Sequence, residues 1–297
     1  MMAEKYLIIN ADDYGLCAAQ NEATEELLSS GAVTSATVMM PCPAAGDATL
    51  FASTHPQLGI GVHLTTTAEH AAYRWRPLCT DCTSLCDENG LLYRTSADFA
   101  QSATTEHIMT ELRAQIAAFC SSGARPSHLD NHMGTLYGVA TGRFELLECA
   151  LQLAAEYRLP FRFPRAFSGE QYGNGMLDIR VPQELLEKVL GHARSLVDKY
   201  GVITPDYLVP GDWNGPQSES FENYREYIYE LYKTFDHGVT ETYIHPAKEG
   251  EQIQGITPFW QRRCWEYRLF LDPATQQHIR ALGIKLIDYR ALAAMRR

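Results

Sequence analysis

The stretch Tyr6-Leu7-Ile8-Ile9-Asn10-Ala11-Asp12-Asp13-Tyr14-Gly15 opens on an apolar run of strand length and closes on an acidic pair. Gln20 to Ser30 follows it, with Ala23, Leu27 and Leu28 on one helical face, so the two segments read as a βα unit. Ser35 to Met40 is the next strand-like run. It leads through Pro41 and Pro43 to a short helix around Ala45 to Ser53, and then to a third strand, Gly59 to Leu64. The N-terminal third therefore reads βαβαβ, the pattern of a parallel sheet.

The same alternation continues outward. Glu106 to Ser121 predicts a helix, with Ile108, Leu112 and Ile116 on one stripe, and Pro126 to Asp130 a short strand. Phe144 to Tyr157, Pro182 to Tyr200, Phe221 to Phe235 and Pro273 to Leu282 read as helices. Pro160 to Phe163, Tyr207 to Val209, Thr240 to Ile244 and Ile284 to Asp288 read as strands. About seven or eight strands, each followed by a helix or long loop, fit a distorted (β/α) barrel of mostly parallel strands better than an open doubly wound sheet. No Gly-rich dinucleotide fingerprint follows the first strand. Without a linker, repeat or low-complexity tract, residues 1–297 are expected to form a single domain.

Composition narrows the function. Of 297 residues, 45% are hydrophobic and 21% charged, the mix of a soluble globular protein. The formal charge of −11 repels phosphate backbones and anionic lipid, so neither nucleic acid nor a membrane is an expected partner. The opening residues carry no signal-peptide pattern and no long apolar run follows, which makes the cytoplasm the expected compartment. Five of the eight cysteines stand alone and are read as reduced thiols. Cys79, Cys82 and Cys86 sit together and could supply three thiolates to zinc or an iron–sulfur cluster. Lacking an evident fourth ligand, they are read as incidental residues of a surface loop. That loop belongs to a stretch of poor periodicity, residues 65–100, with a hairpin signal at Glu88-Asn89-Gly90.

In a (β/α) barrel, residues just past the strands converge on one face. Four such ends carry acid–base or metal-type side chains: Asp12-Asp13, His63, His128 through His132, and His245. Singly, each reads as a cap, a core histidine or a strand terminus. Together they supply what a hydrolytic divalent site requires: a carboxylate and two imidazoles for the ion, with a separate base and acid. Adjacent aspartates in an extended strand point to opposite sides, so one is expected to bind metal while the other faces the water.

These residues also carry a resemblance. Asn10-Ala11-Asp12-Asp13-Tyr14-Gly15, Gly31-Ala32-Val33-Thr34-Ser35 and Gly61-Val62-His63-Leu64 are similar to the opening of the YdjC-like, or ChbG/HpnK, carbohydrate deacetylases. Pro126 through His132 resembles the central motif of that family, and Gly238-Val239-Thr240-Glu241 through His245-Pro246 its C-terminal one. Many of its members carry another His two positions after the one matching His132, where this sequence has Met133-Gly134.

The resemblance implies a barrel related to the polysaccharide deacetylases and hydrolysis of N-acetyl groups from an amino sugar or oligosaccharide. It implies that Asp13, His63 and His132 hold a divalent ion, Mg or Zn, with Asp12 as general base and His245 as general acid. His128 is implied as a substrate contact or a support behind the ligands. A homodimer is compatible with the family. Trp75, Tyr137, Tyr172, Trp213, Trp260 and Trp265 offer faces for pyranose stacking, with Trp213 best placed because it follows the strand Tyr207 to Val209. Arg74, Arg76 and Arg165 could clamp an anionic substituent. Two other functions use the same residues: a metal-dependent phosphoester or cyclic-amide hydrolase, and a catalytically silent carbohydrate-binding protein.

Overall fold

A computed structural model of the chain describes residues 4–166 and 183–296. Its spine is β1 (Lys5–Tyr14), whose residues from Leu7 onward are all buried, as expected of a strand covered on both faces. One edge of β1 pairs along Lys5 to Ala11 with β6 (Gly238–Ile244). The other edge is shared: β7 (Ile284–Leu286) pairs with Lys5 to Leu7, and β2 (Ser35–Val38) takes over from Asn10. Beyond β2 come β3 (Gly59–Leu64) and β4 (Leu129–Asn131), and beyond β6 comes β5 (Tyr207–Leu208), every pairing parallel.

The sheet curls until its ends nearly meet. A parallel bridge joins Leu129 in β4 to Phe161, Phe161 N donates to Ile203 O at 3.0 Å, and Asp206 N donates to Val239 O at 2.9 Å beside β5. A few backbone hydrogen bonds through residues 160–166, to Leu129 on one side and to residues 203–206 on the other, thus span the gap that a regular barrel would fill with strands. The expected strand Pro160 to Phe163 shrinks to this one bridge.

Helices pack around the sheet. Ala18–Ser30 ends on Gly31 at φ 72°, a left-handed cap suited to glycine. Thr105–Ser121 is capped by the Thr104 side chain, and Phe221–Lys233 by that of Ser220. Glu145–Tyr157 and Pro273–Ala281 lie within a residue or two of the expected bounds. Gln183–Tyr200 fills the described part of the helix expected from Pro182, which itself lies outside the described residues. Four described helices, Ser96–Ser102, Glu251–Ile256, Trp260–Leu271 and Tyr289–Arg296, lie where the sequence predicts none. The main core runs from Leu7 to Ile284.

Residues 65–100 are more than a surface excursion. Cys82, Leu85 and Leu92 are buried in the main core, and Glu111 accepts hydrogen bonds from the backbone N–H groups of Leu78 and Cys79 at 3.0 and 2.8 Å. The hairpin signal corresponds to an antiparallel bridge between Cys86 and Leu92. All three cysteines of the cluster are free thiols, and burial pushes the Cys82 thiol up to about 12. Among the described residues, no helix is long and apolar enough to cross a membrane.

Candidate metal centre

The acidic pair sits in a β-bulge. Ala11 pairs with Ala36 and Tyr14 with Val38, so β1 spends one more residue than β2 over the same span. Asp13 absorbs the extra residue at φ 58°, a left-handed conformation that Asp tolerates better than most side chains. This overturns the expectation that the two aspartates face opposite ways. Both carboxylates line one cavity and approach the same nitrogen: His63 Nε2 lies 3.5 Å from Asp13 Oδ1 and 4.0 Å from Asp12 Oδ2.

His63 comes from the end of β3, and His132 follows β4 directly. One ligand atom from each of Asp13, His63 and His132 lies within 4.8 Å of the others, and Asp12, His63 and Asp130 form a second such group. His132 Nδ1 stands 3.2 Å from Asp13 Oδ1. That oxygen is buried and has no hydrogen-bond partner, whereas Asp13 Oδ2 accepts from Arg263 Nη2 at 2.9 Å. An unpartnered buried carboxylate oxygen facing two ring nitrogens fits a divalent ion with mixed N and O ligands.

The far nitrogen of each ring is also engaged. His63 Nδ1 bonds Asp130 Oδ1 at 2.7 Å, and His132 Nε2 bonds Glu69 Oε2 at 2.8 Å. Carboxylates behind imidazoles fix the tautomer and aim the other nitrogen, as in carboxylate–histidine–metal triads. Burial opposes protonation of both rings, but the carboxylates outweigh it. With Asp130 foremost for His63 and Glu69 for His132, the two rings are raised to about 10 and about 9. Burial likewise opposes the charged form of Asp13. The side chains of His245, Arg263, His132 and His63 nevertheless hold it well below the usual carboxylate range.

Asp12 is gripped by Arg162, whose Nη1 and Nη2 donate to Oδ2 and Oδ1 at 2.6 and 2.7 Å, and by Asn10 Nδ2 at 2.8 Å. Arg162 also pairs with Asp130 Oδ2 at 3.0 Å and Glu241 Oε1 at 2.8 Å, and the Tyr289 hydroxyl bonds the other oxygen of Glu241. Burial lifts Glu241 to about 7, against the pull of Arg162.

His245 lines the same cavity at the end of β6, and its backbone N–H donates to Glu266 Oε2 at 2.6 Å. Burial lowers its ring to about 4, with the nearby charge of Asp13 pulling the other way, so the ring is neutral at pH 7. The cavity holds about 780 Å³, within the usual size range of small-molecule sites.

Three further expectations change. His128 does not line the cavity. It lies in the core, with Nδ1 2.9 Å from Ser127 Oγ and its ring stacked on Tyr289 at 3.8 Å. Gly61 lies so close beneath it that a Cβ there would come within 2.4 Å of the His128 carbonyl oxygen. Trp213 does line the cavity, but its faces are taken. Tyr224 stacks on it with centroids 4.4 Å apart and Arg262 sits 3.4 Å over the ring. A ring and a guanidinium at those distances cannot share one face, so Trp213 is sandwiched and offers the cavity an edge.

Arg74, Arg76 and Arg165 bind Asp87, Gly90 O and Asp198, away from the cavity. Of the other aromatic candidates, Tyr137 and Trp265 line it. Trp75 and Trp260 do not, and Trp75 instead packs edge-on against His132. Tyr172 lies outside the described residues.

Asp130, Glu69, Arg162, Glu241 and Arg263 also build this centre, though the sequence alone assigns them no role. Asp130 lay inside a quoted motif, between two histidines in alternating strand register. Glu241 was a charged residue in an otherwise uncharged strand. Both were visible signals. Nothing local marked Arg263 or Glu69.

A family described as YdjC-like protein matches residues 6–281. A carbohydrate deacetylase of Geobacillus stearothermophilus is 31% identical over 286 residues, covering 96% of this chain and 97% of that protein. A chitooligosaccharide deacetylase of Yersinia enterocolitica is 28% identical, covering 96% and 98%. A crystal structure from Enterococcus faecalis, described as a cellobiose-phosphate cleavage protein, superposes with a TM-score of 0.74. It is 28% identical and covers 98% of this chain and 99% of that one.

Proposed function

The chain belongs to the YdjC-like protein family, and on that premise we propose that it is a divalent-metal-dependent hydrolase removing N-acetyl groups from an amino sugar or oligosaccharide. The observation that carries this reading is the buried, unpartnered Asp13 Oδ1 facing His63 Nε2 and His132 Nδ1. The names of the Geobacillus and Yersinia relatives support the substrate class.

Asp13, His63 and His132 would hold the ion, Mg or Zn, which when bound supplies a Lewis acid for the acetyl carbonyl and acidifies a water. Asp12 is the general base. Its two charge-assisted bonds from Arg162 fix the carboxylate beside the ion's ligands, so that it meets the attacking water without reorganising. His245 is the general acid. Its ring, neutral at rest, receives the proton that Asp12 removes from the attacking water and passes it to the departing amine, which cannot leave as an anion. Glu266 holds the His245 backbone, and Glu69 and Asp130 keep the two histidines aimed.

The test is acetate release from N-acetylglucosamine oligomers with and without EDTA. Acetate should appear, vanish with chelator, and return on adding Zn²⁺ or Mg²⁺. Absence of acetate with every metal and oligomer length tried would overturn the reading.

A further inference from the structure

The helices Ala18–Ser30 and Trp260–Leu271 each send one polar side chain toward the bulge that carries the two aspartates. Arg263, 8% exposed, donates Nη2 to Asp13 Oδ2 at 2.9 Å and Nη1 to Gln20 Oε1 at 2.9 Å. Gln20, fully buried, turns its other end to the chain, and its Nε2 donates to the Asp12 carbonyl oxygen at 2.8 Å. Asp12 O, Gln20, Arg263 and the Asp13 carboxylate thus close a ring of hydrogen bonds around the peptide that joins the two aspartates.

That peptide requires holding. Asp13 is non-glycine at φ 58°, a conformation that persists only where its surroundings impose it. Relaxation of the bulge to regular strand would turn one carboxylate away from the cavity, because side chains alternate along an extended chain.

We propose that Gln20 and Arg263 are positioning residues for the ion: they hold Asp13 in its left-handed conformation and occupy Oδ2, leaving Oδ1 as the atom offered to the metal. The inference rests on the metal reading given above. Gln20 acts through the Asp12 carbonyl, and Arg263 through the Asp13 carboxylate. The requirement for arginine is geometric. One guanidinium reaches two acceptors along diverging N–H bonds, whereas a lysine ammonium at the Asp13 distance keeps the charge but drops the link to Gln20.

The experiment is calorimetric titration of Zn²⁺ into metal-stripped full-length protein, for wild type, Arg263→Lys, Arg263→Met and Gln20→Leu. The visible spectrum of the Co²⁺ form and a thermal melt are recorded for each. Loss of a group behind a metal ligand typically weakens binding about 10- to 100-fold. Arg263→Met should therefore bind Zn²⁺ about 10- to 100-fold more weakly. Gln20→Leu and Arg263→Lys should fall between it and wild type, each with an altered Co²⁺ spectrum. A merely structural role would lower the melting temperature and leave the Zn²⁺ affinity of the folded protein and the Co²⁺ spectrum unchanged, and that result would overturn the proposal. Should Arg263→Met fail to fold, Gln20→Leu and Arg263→Lys decide by the same two readouts. Wild type that binds no divalent ion would sink the metal reading and this inference together. Wild type that binds tightly, beside variants that bind equally, would sink this inference alone.

Discussion

At the scale of single residues, the proposed division between ligands and acid–base groups follows what each side chain already touches. Asp12 accepts two hydrogen bonds at Oδ1 and one at Oδ2, which leaves Oδ2 a lone pair for a proton, while Asp13 Oδ1 accepts no hydrogen bond. Asp12→Asn should therefore retain the ion and lose about 10²- to 10⁴-fold in turnover, the usual worth of a positioned base. His63→Ala should lose the ion itself. Metal analysis beside acetate assays checks both, and the opposite pattern would exchange the two roles.

His128 makes a different prediction. Burial lowers its ring to about 3, against about 6.5 in an unfolded chain. Between those values the unfolded chain takes a proton that the folded one refuses, so stability falls as pH drops from about 6.5 toward 3. His128→Phe, which keeps a flat ring against Tyr289, should flatten that dependence by up to about 1.4 kcal/mol per pH unit. Urea melts at pH 4, 5 and 7 measure it, and an unchanged slope would contradict the assignment of His128 to the core.

Among elements, the short segment around Phe161 matters most for its size. It has one bridge to β4, yet Arg162 ties it to Asp12 of β1, Asp130 of β4 and Glu241 of β6. Removing one partner from a buried ionic network leaves uncompensated charge and costs about 3–5 kcal/mol. Arg162→Met should therefore lose that much in urea unfolding, with turnover falling too because Asp12 is released. Full stability in the variant would mean that the three carboxylates find other partners.

The helix Trp260–Leu271 carries no clear helical signal in its sequence, for a physical reason. Its inward stripe includes Arg263 and Glu266, beside Leu269 and Phe270, so the apolar period that marks an amphipathic helix is broken where the helix serves the site. The thiol segment was misread for the converse reason. Its polar composition hides Cys82 and Leu85, which are buried where the segment packs against the helices Ser96–Ser102 and Thr105–Ser121 that follow it.

For the molecule as a whole, an ion held as proposed by residues from β1, β3 and the end of β4 would be bound only by the folded chain. It should stabilise the protein by about 2.7 kcal/mol at a hundred times its Kd, and EDTA should lower the melting temperature by several degrees. Equal melting with and without chelator would argue against an ion at this centre.

The order of strands and helices, and the residue types available for a metal site, could be read from the chain because both depend on short-range periodicity and on side chains sitting at strand ends. Which oxygen of Asp13 stays free, which carboxylate stands behind which histidine, and which aromatic face is already covered were decided only by the tertiary structure. Those outcomes turn on a bulge imposed by a neighbouring strand and on partners such as Arg263 and Asp13, 250 positions apart in sequence, whose meeting no local pattern encodes.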